Sequence, residues 1–386
     1  MGTVTARQLS ALLVGLVLAA AACGRGEQAP PAATSTPTEG ALVEEAREIV
    51  DRLSGPGAFS FEGPPIDVGD RLRGKRIYAI GNGLEFFFVQ NWLRGVREAA
   101  AELGMTVTAV DASVTDPAAL VEQGVGQNFD VILIQSVESG RIAAPLAAAK
   151  DAGIPVIELT TTDPHLPTAE ESDRGVFGFT TFCYSCAGRQ MAAFIVADGG
   201  PDTQSLIYRV PGLVVSEAMV AAFSEEMARL CPACEVDVID APFAQWENLE
   251  ALTGTAIETH RGADRLYLVP VFDAMVPIGV AAAVAEKEAE DFAKIVTYNG
   301  TDAGMPGVRD GTVAADIGGP QVWLGWATVD QVARALLGEA PVDDYRLPHR
   351  IFWAENIDEV DLDAPEDTWY GTDFRSQFLR LWGMGS

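Results

Sequence analysis

Four cysteines in two Cys-x-x-Cys pairs, Cys183-Tyr-Ser-Cys186 and Cys231-Pro-Ala-Cys234, carry the most reactive chemistry in this chain of 386 residues. Two such pairs are what a four-thiolate zinc site is built from, and one pair is the core of a thiol redox motif. Neither pair follows the first strand of a thioredoxin-like pattern. The three histidines, His165, His260 and His349, are scattered, and no Gly-x-Ser-x-Gly nucleophile motif accompanies them. Acidic residues abound, but nothing in their spacing marks a hydrolytic pair. No catalytic residue is assigned, and the chain is read as a binder rather than an enzyme. The feature that points to binding is Phe86-Phe87-Phe88. Three consecutive rings in a loop cannot all point inward, and an outward ring offers a flat apolar wall to a sugar face or an aromatic ligand.

The elements around these residues alternate. Arg76–Ile80, Met105–Val110, Asp130–Ile134 and Ile154–Leu159 are short apolar runs with the length and β-branched content of buried parallel strands. Between the first two, Val89, Trp92, Leu93, Val96, Ala100 and Leu103 recur at helical spacing, and Gly104 stops the helix. Leu146, Ala147 and Ala149 predict another helix, ending at Gly153. A second series begins near Gly175, with strands at 175–179, 205–209, 236–239, 266–269 and 294–298 and helices at about 186–198, 215–230, 246–260 and 275–288. A strand near Thr312–Asp316 and a long helix from Val322 to Leu337, closed by Gly338, complete it. The fold class is α/β, with two doubly wound Rossmann-like lobes. Such sheets bind ligands at the carboxyl ends of their strands, which in the first lobe means Asn82–Val89, Gln135–Glu138 and Thr160–Asp163.

The run from Phe86 to Gly104, Ala149–Ile157, Val296–Asp302 and the helix from Trp326 to Glu339 together resemble the periplasmic sugar-binding proteins of the ribose-binding type. The resemblance covers roughly residues 74–354. It implies the type I periplasmic binding protein fold, two lobes joined by a three-segment hinge. The crossings would fall near Phe179–Thr181, Asp316–Gly319 and Pro348–Trp353. It further implies ring-stacking roles for Phe86 and Phe88 with Asn82 nearby, and a polar contact at Gln135 beside a weaker one at Glu138. Thr161 is carried as a contact of the first lobe. In the second lobe Phe243 matches an aromatic wall, Asp273 and Asn299 match polar contacts, and Tyr298 and Asp316 are further candidates. Amides and carboxylates suit neutral polyols, because each hydroxyl both donates and accepts. Helix capping is the competing role for Asp273 and Asn299. Two positions depart from the family pattern. Thr160-Thr161-Thr162-Asp163 stands where an Asp-Arg pair is usual, and Glu217 where an arginine is usual on a second-lobe helix. Without those arginines the multidentate grip on ring hydroxyls is lost. A less hydroxylated or aromatic ligand is therefore the alternative.

The hinge assignment also bears on the cysteines. Cys183 precedes a helix that begins at the cleft, whereas Cys231 ends a helix that runs away from it for about 24 Å at 1.5 Å per residue. Four ligands so separated do not converge on one metal, so two local disulfides, Cys183–Cys186 and Cys231–Cys234, are expected, with no metal and no cofactor.

With 55 acidic against 26 basic side chains, the chain is a poor partner for nucleic acid or an anionic membrane. Residues 1–23 read as a targeting segment. Arg7 precedes an uncharged stretch from Leu9 to Ala22, too short to span a bilayer, for which about 20 residues are needed. The ending Leu18-Ala-Ala-Ala-Ala-Cys23-Gly24 resembles a bacterial lipoprotein signal, with Cys23 as the lipidated residue. Residues 24–40, rich in Pro, Thr, Ala and Gly, form a flexible tether, and 41–73 an N-terminal extension. Residues 74–179 with 318–350 are assigned to the N-terminal lobe, and 180–317 with 351–386 to the C-terminal lobe. Regulators that share the fold carry a DNA-binding helix-turn-helix before the first strand, where this chain has its signal and tether. The sequence thus predicts a monomeric solute-binding lipoprotein, extracytoplasmic or periplasmic and held to the outer face of a bacterial membrane only by its lipid. It would take a small neutral solute to an ABC importer permease, or report that solute to a membrane receptor.

Overall fold

The computed structural model describes residues 38–165, 175–371 and 373–384. The signal, Cys23 and the tether up to residue 37 lie outside the described residues. Helix α1 (Glu39–Leu53) opens the described chain, with the Thr38 hydroxyl capping its N-terminus through the Ala41 amide. Its apolar stripe of Leu42, Ala46 and Val50 is buried, and the helix lies on α5 and α6 of the second lobe. From Ser54 to Lys75 the chain runs over the surface of the fold without joining a sheet.

The first lobe alternates β1 (Arg76–Gly81), α2 (Phe87–Glu102), β2 (Thr106–Asp111), α3 (Pro117–Gly126), β3 (Val131–Gln135), α4 (Ala143–Asp151), β4 (Val156–Leu159) and β5 (Gly178–Thr180). Its five strands are parallel in the order β2-β1-β3-β4-β5. Strands β1 and β3 are buried almost end to end, as strands covered on both faces must be. The strand expected to open the second series therefore closes the first sheet instead.

The second lobe carries α5 (Tyr184–Gly199), β6 (Gln204–Arg209), α6 (Val214–Leu230), β7 (Glu235–Asp240), α7 (Leu249–Thr259), β8 (Leu266–Pro270), α8 (Ala281–Glu286), β9 (Ala293–Asn299), α9 (Met305–Asp310) and β10 (Ala315–Gly318). Then α10 (Gln321–Leu337) packs against α2, β4 and β5, and so belongs with the first lobe. Strand β11 (Arg350–Trp353) returns and pairs antiparallel with β10, giving the sheet order β11-β10-β9-β8-β6-β7. The chain thus changes sheets after β5, after β10 and before β11.

Helices α2 and α10 touch backbone to backbone. A Cβ on Gly95 would come 2.1 Å from the Val322 carbonyl oxygen, and one on Gly325 2.5 Å from that of Trp92. The aromatic C-terminal tail, with helix α11 (Phe374–Leu381), also lies on α10. Trp323 stacks between Phe59 and Phe374, and Trp326 stacks on Trp382 at 5.6 Å. The Ile66 and Val68 amides donate to the Leu381 and Trp382 carbonyls, tying the extension to the tail. A boundary at residue 351 groups the whole tail with the second lobe. The structure instead sends only β11 to that sheet and lays α11 on the first lobe, because the apolar faces of Trp323 and Trp326 are there to be covered. Glu366 accepts from the Gln321 amide at 3.0 Å and so caps α10, whose N-cap position holds Pro320.

Candidate functional site

The carboxyl ends of β1, β3 and β4 face those of β8 and β9 across a cleft of about 780 Å³. Both parallel sheets direct their loops to it, as doubly wound sheets do. On the first-lobe side the loops are held by one another. Gln135 Oε1 accepts from the Asn82 amide at 2.9 Å, and its Nε2 donates to the Ser136 and Thr160 hydroxyls. The Asp111 carboxylate, ending β2, accepts from the Gly83 and Leu84 amides and fixes the turn before the phenylalanines.

Three non-glycine residues at this rim have left-handed backbones: Ser136 at φ 54°, Thr160 at 55° and Asn299 at 138°. Each stands where a strand gives way to a cleft loop. Such conformations cost of order 1–3 kcal/mol each and persist where the surroundings enforce them, often at binding sites.

The second-lobe side centres on Asp273. Its Oδ1 accepts from Asn299 Nδ2 at 3.1 Å, and its Oδ2 from the Thr301 amide at 2.9 Å and from the Thr301 hydroxyl. Burial raises the Asp273 pKa, against these hydrogen bonds. Asp316 lies behind it with no exposed surface. Its Oδ1 accepts from the Gly300 amide, and its Oδ2 has no partner. A Cβ on Gly304 would sit 2.1 Å from Asp316 Oδ2 and 3.0 Å from Asp273 Cβ, so the glycine leaves room for both carboxyls. Burial first, and then the Asp273 charge, push the Asp316 carboxyl well above the usual carboxylate range.

Aromatic walls complete the cleft. Phe86, Phe87 and Phe88 all line it, and Phe87 is 43% exposed. Opposite them Phe243, 48% exposed, tilts on Trp246 at 4.7 Å. The Phe86 ring meets Trp246 edge-on at 6.2 Å, an aromatic contact that bridges the two lobes. Among the described residues no lysine, arginine or histidine lines the cleft, and its charged members are Glu85, Glu247 and Asp273.

Of the residues expected at the site, Asn82, Phe86, Phe88, Gln135, Phe243, Asp273 and Asn299 line the cleft, and Thr161, Tyr298 and Asp316 do not. Thr161 is buried with its hydroxyl unpaired, because the left-handed turn at Thr160 presents that residue instead. Tyr298 precedes Asn299 on β9, and neighbouring strand residues point to opposite faces. Its ring packs inside against Tyr184 at 5.7 Å and His349 at 5.6 Å, and Tyr184 takes its place on the cleft wall. Asp316 acts from behind Asp273. Glu138 is not among the lining residues. Neither Asp273 nor Asn299 spends its side chain on a helix end. Ser136 and Thr160 fall within the rim stretches expected from the sequence without being singled out there, and Thr301 and Trp246 were missed. Trp246 had a legible signal, since it follows Phe243 by three residues on a 3₁₀ turn, where i and i+3 share a face.

Both cysteine pairs are disulfides, Cys183–Cys186 at the start of α5 and Cys231–Cys234 at the end of α6. A ring nitrogen of His165 lies within 4.8 Å of the Cys183 and Cys186 sulfurs. With those sulfurs joined to each other, the trio offers no thiolate to a metal. No helix among the described residues is long and apolar enough to cross a membrane.

A family model described as a periplasmic binding protein domain matches residues 79–340. No curated protein matches the sequence. Among solved structures, an ABC transporter periplasmic solute binding protein from Actinobacillus succinogenes with bound D-allose superposes with a TM-score of 0.65 at 16% identity, covering 74% of this chain and 100% of that one. An ABC sugar transporter subunit from Rhodobacter sphaeroides gives 0.63 at 19% identity, over 74% and 100%. An ABC transporter solute binding protein from Agrobacterium vitis with bound allitol gives 0.61 at 20%, over 75% and 98%. At such identities the structures share the fold with this chain, a type I arrangement of two lobes. With its family match spanning most of the chain and a cleft at the strand ends of both lobes, this protein belongs to the periplasmic binding protein family.

Proposed function

We propose that this protein is an extracytoplasmic solute-binding lipoprotein that captures a small neutral sugar or polyol between its lobes and delivers it to an ABC importer permease. The observation that carries the reading is the cleft's chemistry. Amide, hydroxyl and carboxylate groups at Asn82, Gln135, Asp273, Asn299 and Thr301 face one another between aromatic walls, and among the described residues no cationic side chain lines the cleft to hold an anion. Bound D-allose and allitol in proteins of the same fold support it. The first-lobe sheet with α10 and α11, and the second-lobe sheet with β11, would move as the two lobes, closing about the three crossings when ligand binds. Lipid on Cys23 would hold the monomer at the outer face of the membrane, with residues 24–40 as tether.

A second reading, an aromatic or sparsely hydroxylated ligand, is favoured by the seven aromatic side chains that line the cleft: Phe86, Phe87, Phe88, Tyr184, Phe243, Trp246 and Phe272. A thermal-shift screen of the chain from Thr38 against neutral sugars, polyols and small aromatics separates the two. A ligand at 100 times its dissociation constant adds about 2.7 kcal/mol. Stabilisation by a sugar or polyol supports the first reading. Stabilisation only by aromatics replaces it with the second.

A further inference from the structure

We propose that Cys183–Cys186 is a site of thiol–disulfide exchange with external thiolates, next to the ligand cleft, and that Cys231–Cys234 is a structural bond. The two pairs have the same spacing and sit at opposite ends of helices. Cys183 is the N-cap of α5 and Cys186 lies in its first turn, with the Cys186 amide donating to Cys183 Sγ at 3.1 Å. The unpaired amides and the dipole of a helix N-terminus stabilise a thiolate there. Cys231 is the C-cap of α6, where the same dipole has the opposite sign. Its sulfur faces the Pro201 carbonyl oxygen at 3.2 Å, and that of Cys234 faces Pro201 O at 3.6 Å and Gly200 O at 3.9 Å. Oxygen lone pairs around Cys231 disfavour its anion, while Cys234 Sγ also has the Thr203 hydroxyl as a donor at 3.1 Å.

The second, independent difference is the imidazole. The ring of His165, an exposed residue, reaches within 4.8 Å of both sulfurs of the first pair, and its protonated form lowers a thiol pKa. One group opposes it. The Asp163 carboxylate lies on the same turn, accepting from the Ser185 amide and hydroxyl and from the His165 amide, and those donors already engage it. Access differs as well. Cys183 and Cys186 are both half-buried, whereas in the second pair only Cys234 is, and Cys231 is 3% exposed.

In the exchange an external thiolate attacks Cys183 Sγ, forming a mixed disulfide and expelling Cys186 as thiolate. A second external thiolate then attacks the outer sulfur and releases Cys183. Two thiols have become one disulfide, and their two electrons and two protons reside on the cysteine pair. The reaction reaches the cleft through Tyr184. This residue, held between the two cysteines, lines the cleft and hydrogen-bonds to the Thr160 hydroxyl. Opening the pair frees the turn that positions that ring. The inference stands whichever ligand the cleft takes.

The test equilibrates the full chain in glutathione buffers of graded ratio at pH 7, alkylates free thiols and reads each pair by peptide mass. The expected result is half-reduction of Cys183–Cys186 at a [GSH]²/[GSSG] at least tenfold lower than for Cys231–Cys234. Opening of both pairs together, or of Cys231–Cys234 first, overturns the proposal. A Cys231→Ser/Cys234→Ser variant isolates the first pair, whose midpoint should not move. A midpoint that shifts tenfold to more reducing buffer would refute the assignment. His165→Gln should slow exchange several-fold at pH 7 and move the alkylation profile of reduced Cys183 to higher pH, and an unchanged rate and profile would count against the imidazole's role. Faster reduction by a Cys-x-x-Cys protein dithiol than by glutathione at equal thiol concentration marks a protein as the source of the thiolate, and the reverse marks a small thiol. Failure with both overturns the proposal.

Discussion

Replacing Asp330 with alanine tests whether α10 is the clamp that holds the extension, the lobe and the tail together. Asp330 has no exposed surface, and three donors converge on it: Arg334 Nε at 2.7 Å, the Tyr345 hydroxyl at 2.8 Å and Trp382 Nε1 at 2.8 Å. Tyr345 comes from the connection after α10 and Trp382 from the tail. Arg334 Nη2 continues to the Pro64 carbonyl of the extension at 2.9 Å. Alanine leaves the Arg334 guanidinium, 1% exposed, with no counter-charge. Breaking a buried pair from one side costs about 3–5 kcal/mol. At about 2.1 cal/mol/K of unfolding entropy per residue, roughly 350 ordered residues give roughly 0.7 kcal/mol/K, so the melting temperature should fall by about 4–7 °C. Circular dichroism melts of the chain from Thr38 read this directly. The double variant Asp330→Leu/Arg334→Met removes both charges and leaves only lost hydrogen bonds, roughly 1 kcal/mol each, and should melt above the single variant. An Asp330→Ala protein within about 1 kcal/mol of the parent, or a double variant that melts no higher than the single one, would refute the reasoning.

Four further outcomes are expected. Burial depresses the His349 pKa to about 4, so the unfolded chain takes up a proton near its ordinary 6.5 that the folded one refuses. Stability should drop as pH falls from about 6.5 towards 4, and a His349→Asn variant should lack that component in pH-dependent melts. Burial raises the Glu366 pKa from its ordinary 4.5 to about 8, so its contribution is fully present below 4.5 and is lost as pH rises through about 8. Glu366→Gln should therefore gain on the parent protein between pH 5 and pH 8.5, and a constant difference in melting temperature would contradict this. For the compound that stabilises the protein best in the screen, calorimetry should show Gln135→Ala and Asn299→Ala each weakening binding about tenfold, the worth of a hydrogen bond and its stranded partner. Thr161→Val, which removes a buried hydroxyl that has no hydrogen-bond partner, should leave affinity and stability unchanged.

What the sequence determined by itself was whatever local pattern governs. The apolar runs around Ile77–Ile80 and Val131–Ile134 are buried strands, and the 3.6-residue stripe through Trp92 and Val96 is a packed helix, because periodicity decides which faces can be hidden from water. Alternation then placed the site at the strand ends, and seven of its ten expected residues line the cleft. Tertiary structure decided the rest, first by choosing among side chains one step apart. At Thr160 and Asn299 the backbone leaves the strand in a left-handed turn, so Thr160 rather than Thr161 and Asn299 rather than Tyr298 face the cleft. No pattern of polarity encodes that choice, since Thr160 and Thr161 are the same residue type and Tyr298 and Asn299 both carry polar groups. Trp246 becomes a wall only because Phe86 stands 6.2 Å away on the other lobe. The fold also chose the surface that buries the tail's aromatic residues. Trp382 lies on α10 because Asp330 and Trp326 meet it there, partners far apart in sequence.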